Sequence, residues 1–306
     1  MNTPARYSQQ IELEPTNACN AKCVFCPRND PRAKGLISEA TVQAAIDLAK
    51  ATGINVFKIS GFGEPLLHPK LPALLRLIKQ QVPNAAILLI TNASLLKPPL
   101  FAELAGLVNR YNISFNGYDQ KSYEQLMVGL DFQQTLDNLR YAAANNRGRA
   151  NIQFTPVINK AFGLADLEKM KELLTGLGFN ADNFKFHHII TTRSQKLADN
   201  ALVDEAFLAA SKKNASAPGT KALCLTHLST LFISWEGNIH ICCNDIHGEA
   251  VIGRIAEVKT LDDLIALEKK NLNARFSEAF DVCRRCDVPA VRPHQVINGK
   301  TYTEMS

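Results

Sequence analysis

Pro15-Thr16-Asn17-Ala18-Cys19-Asn20-Ala21-Lys22-Cys23-Val24-Phe25-Cys26-Pro27-Arg28 is the stretch that decides the reading of this chain. Its spacing is CxxxCxxC, and it follows directly on a short apolar strand, Gln10 to Glu14. Three thiolates this close together can hold three irons of a cubic 4Fe-4S cluster. No fourth cysteine lies nearby, so one iron keeps an open position where a small ligand can bind and be reduced. Two blander readings compete. Disulfides suit secreted chains, and the opening Met1-Asn2-Thr3-Pro4-Ala5-Arg6-Tyr7-Ser8 has no apolar signal core. A zinc knuckle needs a fourth ligand, and no His or Cys follows before His68.

The chain has 306 residues, enough to bury a core without covalent staples. Its eight cysteines fall in two groups, three in this loop and five after position 220: Cys224, Cys242, Cys243, Cys283 and Cys286. Two clusters of thiols with a long gap between them argue for two metal sites in a reducing compartment, so a cytoplasmic protein is expected. The hydrophobic fraction is 46%, and no apolar run approaches the roughly 20 residues that cross a bilayer. The net charge of +5 is spread along the chain, with Lys212-Lys213, Lys269-Lys270 and Arg284-Arg285 only as pairs. That pattern favours a solvated surface over nucleic-acid binding.

Outward from the loop, strands and helices alternate. Gln10 to Glu14 reads as the first strand. Ser38 caps a helix through about Ala51 that Gly53 stops. Ile54 to Ser60 is a strand, Lys70 to Gln81 a helix, and Ala86 to Ile90 a buried parallel strand by its continuous apolar character. A helix at Pro99 to Val108, a strand at Tyr111 to Phe115 and helices over most of Gln120 to Asn145 follow. Strands at Asn151 to Ile158 and Phe184 to Ile190 flank a helix at Leu164 to Leu177. Six alternations make a parallel α/β domain. Thr192 to Thr220 reads as a connector with a helix near Asp204 to Lys212. Leu231 to Ser234 and Ile239 to Cys242 then flank Trp235-Glu236-Gly237-Asn238 as a β-hairpin, followed by a helix near Leu261 to Asn271.

The CxxxCxxC loop resembles the signature of the radical SAM (S-adenosylmethionine) enzymes, and later stretches match that family in order. Gly61-Phe62-Gly63-Glu64-Pro65 looks like the GGEP-like turn that binds the amino group of SAM. Thr91-Asn92-Ala93-Ser94 stands where the family often has Thr-Asn-Gly, and Ser114-Phe115-Asn116-Gly117 where many members have Ser-x-Asp-Gly. The resemblance implies a partial (β/α)6 TIM-like barrel with ligands at its mouth. It implies Cys19, Cys23 and Cys26 as cluster ligands. Phe25, Gly61, Gly63, Glu64, Ser114 and Asn116 become candidate SAM contacts. Two departures matter: Asn116 replaces the common Asp, and Leu126-Met127-Val128-Gly129 lacks an Arg often found there, so the partner of the SAM carboxylate stays open, with Arg193 either a substitute or a surface residue.

Cys224, Cys242, Cys283 and Cys286 are spaced Cys-x17-Cys-x40-Cys-x2-Cys. Chemistry alone allows zinc or a fully ligated cluster. The stretch from Gly237 to Asp245, then Ile252-Gly253-Arg254-Ile255, then CxxC, resembles the short Twitch form of the SPASM extension, which implies a small α+β domain with an auxiliary 4Fe-4S cluster. Cys243 reads as a small buried residue. The expected organisation is a barrel at 1–195, a connector at 196–222, a Twitch/SPASM domain at 223–290 and a tail at 291–306. The cofactors implied are SAM and two 4Fe-4S clusters, with an external electron donor such as flavodoxin or ferredoxin. The combination is similar to the aminocyclitol dehydrogenases, which implies oxidation of a small hydroxylated metabolite. Radical modification of a ribosomally made peptide, a redox-neutral isomerase or dehydratase, and a non-enzymatic electron carrier stay open. A leader-binding domain is not expected before Ile11 or after Val291. None of His187, His188, His227 and His240 stands out as a general base.

Overall fold

Alternation along the strands builds this protein. The computed structural model describes residues 8–26, 32–180, 187–188, 229–276, 280, 282, 296–297 and 300–301. Strands β1 (Gln10–Leu13), β2 (Val56–Ile59), β3 (Ala86–Thr91), β4 (Arg110–Ile113) and β5 (Asn151–Phe154) lie side by side in that order, all parallel. Helices α1 (Glu39–Thr52), α2 (Leu71–Gln81), α3 (Pro98–Leu104), α4 (Gln120–Leu126) and α5 (Phe132–Asn145) intervene, and α6 (Leu164–Gly176) follows. Because successive side chains take opposite faces, Phe57, Ile59, Ile87, Leu89, Tyr111, Ile113, Ile152 and Phe154 join the buried core. The other set, Glu12, Lys58, Leu88, Ile90, Asn112 and Gln153, faces the barrel lumen.

Local signals set the helix ends. Ser38 accepts a hydrogen bond from the Thr41 N–H, and Gly53 closes α1 in the left-handed conformation at φ 71°. Asp119 and Asp131 cap α4 and α5 in the same way. Two expectations change. Leu88 and Ile90 are half-buried rather than buried, because their face of β3 looks into the lumen and not onto a helix layer. The strand expected over 151–158 breaks at Thr155-Pro156, since proline has no N–H to give a ladder. Its second part, β6 (Val157–Ile158), pairs in parallel with β7 (His187–His188) in a separate two-stranded sheet.

The C-terminal part joins the same sheet. Strand β8 (Thr230–Ile233) runs parallel to β1 on its free edge, and β9 (Asn238–His240) and β10 (Val251–Arg254) continue antiparallel, giving the order β10-β9-β8-β1-β2-β3-β4-β5. The hairpin expected in a separate domain therefore extends the barrel wall. Gly237 takes φ 82° in its turn. Helix α7 (Leu261–Phe276) packs on β10 and α1, and β11 (Val296–Ile297) pairs with β12 (Lys300–Thr301). Phe184 to Phe186 and Ile189-Ile190 of the last expected barrel strand, Arg193, the connector with its Asp204 to Lys212 helix, and His227 lie outside the described residues.

Glu14, at the end of β1, ties these parts together. Its carboxylate is 0% exposed and takes both guanidinium nitrogens of Arg32 at 3.1 Å. It also accepts from the Phe62 N–H at 3.0 Å and the Trp235 N–H at 3.4 Å. Arg32, 8% exposed, stacks over the Phe62 ring at 5.2 Å. Breaking a buried pair by removing one charge leaves the other unpaired, at a cost of about 3–5 kcal/mol. Glu14→Gln and Arg32→Met should each lower unfolding stability by about that amount in urea denaturation; losses no larger than a surface ion pair gives would refute the anchoring role.

Candidate iron–sulfur and SAM site

The cysteine loop is zipped at its base and braced from every strand end beside it. Thr16 and Leu36 form an antiparallel bridge, and the Ile37 N–H donates to the Pro15 carbonyl at 2.8 Å. Asn17 clamps the return, donating to the Ala33 carbonyl at 3.0 Å and accepting from the Gly35 N–H at 3.1 Å. The Glu64 N–H donates to the Ala18 carbonyl at 2.8 Å, and Lys22 and Val24 donate to the Val128 and Leu126 carbonyls. Asn20 reaches β3's end, bonding Ser94 at 2.9 Å and Asn92 at 3.0 Å. The stretch that lacks the common Arg thus supports the loop through its backbone.

Cys19, Cys23 and Cys26 are half-buried, and none is in a disulfide. Cys19 Sγ accepts from the Ala21 N–H at 3.4 Å, and Cys23 Sγ lies 3.5 Å from Met127 Sδ. Three half-buried thiols outside any disulfide, in a loop pinned by its neighbours, with Cys19 and Cys26 lining a cavity, fit a cluster held by three cysteines.

The glycines of the β2 turn are steric requirements. A Cβ on Gly63 would overlap the Ala18 and Thr16 carbonyl oxygens, and one on Gly61 (φ +130°) would sit 2.6 Å from Glu14 Cγ. The turn therefore lies directly against the cysteine loop, with no room for a side chain between them.

Glu64 is placed differently from the expectation of a carboxylate offered to a ligand. It is 2% exposed and accepts from Thr91 Oγ1 at 2.6 Å, the Asn92 N–H at 2.8 Å and the Leu66 N–H at 3.1 Å. Burial pushes its carboxyl above the ordinary value, although the bonds from Asn92, Thr91 and Leu66 pull it back. Its side chain holds the ends of β2 and β3 together. Asn116 is also withdrawn: fully buried, it accepts from the Val157 N–H at 2.6 Å and contacts Met127 Sδ at 3.5 Å. Ser114 is half-buried at the end of β4, and Phe25 packs against the core. Ala93 adopts φ 60°, the left-handed region that favours the glycine common at this turn. His68 is structural, contacting the Ile37 carbonyl at 3.2 Å and accepting from the Lys70 N–H, and burial lowers its pKa.

A cavity of about 200 Å³ opens beside the loop. Cys19, Cys26, Gly61 and Gly63 line one side; Glu12, Lys58 and Ser60 line the lumen wall; Cys243 and Ile246 close it from the C-terminal part. Phe25, Glu64, Ser114 and Asn116 are not in that lining. Glu12, Lys58 and Ser60 were missed in the sequence, although the alternation Gln10, Glu12, Glu14 on one face of β1 signals a polar lumen. Cys243 is half-buried and open to this cavity, correcting its reading as a buried filler. Cys242 is buried with Ile241 and Ala250, and its Sγ accepts from the Asn244 N–H at 3.4 Å. His240 and Asp245 pair at 2.8 Å below it. Burial raises the Asp245 carboxyl, but bonds from His240, Ala250 and Glu249 outweigh it and hold the carboxyl below its ordinary value. Cys224, Cys283 and Cys286 lie outside the described residues.

The profile of the Radical SAM superfamily matches residues 13–174, and that of SPASM, an iron-sulfur cluster-binding domain, matches 224–287. This chain belongs to the radical SAM superfamily. It is an enzyme of that superfamily, with SAM and a 4Fe-4S cluster as cofactors and auxiliary iron–sulfur in the SPASM segment. A GTP 3',8-cyclase of Chlorobaculum tepidum is 27% identical over 130 residues, 42% of this chain and 39% of that protein. A probable GTP 3',8-cyclase of Methanococcus maripaludis is 28% identical over 213 residues, 64% of this chain and 69% of the relative. In fold, the chain is similar to BtrN in complex with AdoMet and 2-DOIA (TM-score 0.57, 14% identity, covering 98% of each chain). It is also similar to Streptococcus suis SuiB bound to precursor peptide SuiA (TM-score 0.61, 16% identity, covering 89% of this chain and 65% of SuiB). No helix among the described residues is long and apolar enough to cross a membrane.

Gly63→Ala should displace the cysteine loop. After anaerobic reconstitution, iron should fall by about four per chain, as for Cys19→Ala. Cys242→Ala should lose a similar amount, whereas Cys243→Ala should keep full iron; the reverse order for these two would exchange their roles.

Proposed function

We propose that this enzyme is an oxidoreductase that oxidises a carbinol of a small hydroxylated metabolite to a ketone, removing one hydrogen from the carbon and one from its hydroxyl. The observation that carries the reading is the shared cavity: the CxxxCxxC loop, a polar lumen wall and the loop beside Cys242 all line it. When bound, SAM and the first cluster supply a 5'-deoxyadenosyl radical, and the auxiliary cluster supplies an electron acceptor. The substrate gives up a hydrogen atom from carbon, then a proton and an electron, and becomes a ketone. The protein's own contribution is placement. The Gly61–Gly63 backbone abuts the cysteine loop, Phe62 shields that turn against Phe232 at 5.6 Å, and the lumen holds the substrate away from water.

In this reading residues 1–195 form the barrel and 223–290 the Twitch-type unit, whose strands β8 to β10 continue the barrel sheet. Cys19, Cys23 and Cys26 hold the first cluster, and Cys224, Cys242, Cys283 and Cys286 hold one auxiliary cluster. The backbone at Gly61, Gly63 and Glu64 receives the SAM amino group, with Ser114 and Phe25 near its nucleoside. An external flavodoxin or ferredoxin in the cytoplasm delivers the first electron. The named relatives favour a second reading, cyclisation of GTP.

The test uses reconstituted protein, SAM and a reductant, with GTP in one arm and low-mass and high-mass fractions of source-cell extract in the others. A product lighter by two hydrogens, formed in step with 5'-deoxyadenosine from the low-mass fraction, is expected. Consumption of GTP would replace this reading with the cyclase one, and stimulation by the high-mass fraction alone would replace it with a macromolecular substrate.

A further inference from the structure

We infer that Asn112 and Gln153 form the subsite that grips the substrate away from its reacting carbon, and that the group they take is a hydrogen-bond donor such as a hydroxyl. The inference deepens the oxidoreductase reading, on which it rests for the substrate being a hydroxylated metabolite. Ile90, Asn112 and Gln153 are register partners across β3, β4 and β5, on the lumen face. Ile90 lines the cavity beside the cysteine loop, and no residue of β4 or β5 does. Neighbouring strands lie about 5 Å apart, so a ligand that extends past Ile90 meets Asn112 first and Gln153 next. Asn112 also stands two residues before Ser114, about 7 Å deeper in the barrel. That depth sets the pair below the strand end assigned to SAM.

Amides with a structural task in this fold have partners. Asn109 Oδ1 accepts from the Ile87 N–H at 2.9 Å, Asn116 Oδ1 accepts from the Val157 N–H at 2.6 Å, and Asn138 donates to the Ala93 and Ser94 carbonyls. Thr155, two residues beyond Gln153, donates to the Ile113 carbonyl at 3.4 Å. Asn112 and Gln153 differ. Asn112 Oδ1 is buried with no hydrogen-bond partner. Gln153 is 7% exposed, and neither side-chain amide bonds the other or any neighbour among the described residues. A buried acceptor left unpaired weakens a fold, and Ile90 in the same row shows that an aliphatic side chain serves on this face. The barrel therefore gains nothing from Asn112 that leucine would not give. Two amides side by side carry no charge and offer both carbonyl acceptors and NH2 donors. The group that satisfies Asn112 Oδ1 must give a hydrogen, as a hydroxyl or an amine does; an ionised carboxylate has none to give.

The experiment uses the full reconstituted enzyme with SAM and reductant, and three probes: the low-mass fraction of source-cell extract, the high-mass fraction, and GTP. The amount of each probe that half-maximally stimulates 5'-deoxyadenosine formation is measured for wild type, Asn112→Leu, Asn112→Asp and Gln153→Met. SAM affinity and the urea midpoint are measured on the same proteins. With the low-mass fraction, Asn112→Leu and Gln153→Met should each raise the half-maximal amount by about 3- to 10-fold, the loss of one neutral hydrogen bond. The maximal rate should change little, as for binding shared by ground and transition states. Asn112→Asp keeps an acceptor in place and should need less of the fraction than Asn112→Leu. The urea midpoint of Asn112→Leu should stay level or rise, because an unpaired buried acceptor has been removed. An unchanged half-maximal amount in both apolar variants overturns the inference and leaves the oxidoreductase reading standing. A lower urea midpoint in Asn112→Leu overturns it by giving the amide a structural task, and a parallel loss of SAM affinity does so by assigning the pair to the cofactor. Weaker stimulation of Asn112→Asp than of Asn112→Leu overturns the donor assignment. Stimulation of wild type by GTP or the high-mass fraction alone removes the oxidoreductase reading, and the pair then stands or falls by the same shift with that probe. Silence with all three probes overturns both.

Discussion

The buried ion pair between Glu14 and Arg32 is the constraint on which the arrangement depends. One carboxylate at the end of β1 receives the return of the cysteine loop, the glycine turn after β2 and the turn of the C-terminal hairpin. These segments come from three parts of the sequence. A fully buried carboxylate must satisfy its oxygens, so the three can only settle in the one geometry that does so. Packing reinforces it: Gly61 has no room for a Cβ beside Glu14, and Gly35 none beside the Trp235 ring.

That geometry explains why Cys243, remote in sequence, shares one cavity with Cys19 and Cys26. Strand β8 pairs with β1, the strand that leads into the cysteine loop, and the hairpin carries Cys242 and Cys243 from there. The hairpin is therefore registered to the same strand as the first cluster loop. The hydrogen bonds from Glu64, Asn20, Lys22 and Val24 then give the loop little freedom, which suits a site where a reactive species must meet a single carbon.

The functional turns also carry more structural work than their motifs suggest. Glu64 and Asn116 belong to stretches that resemble ligand-binding signatures, yet both side chains are buried in bonds to neighbouring strand ends. In each case the signature marks where the backbone must be held, and the side chain is the device that holds it. Conversely, Glu12 and Lys58, which also line the cavity, lie inside strands where no motif drew notice.

The elements were legible in the sequence because their signals are local. Ser38 and Gly53 bound α1, the glycines mark the turn after β2, and the CxxxCxxC spacing names its chemistry, all from neighbours within a few residues. The strand–helix alternation likewise announced a parallel α/β domain, and the resemblance to the radical SAM enzymes a barrel. What the sequence could not show is what depends on register between strands. Pairing β8 with β1 merges the hairpin into the barrel wall, and pairing β1 with β2 brings Glu12 to Lys58. Whether Leu88 and Ile90 meet a helix or a lumen, and whether Cys243 is a filler or part of a cavity wall, follow from the same pairings. Such contacts join residues 220 positions apart, as Gln10 and Thr230 are, and only the folded chain decides them.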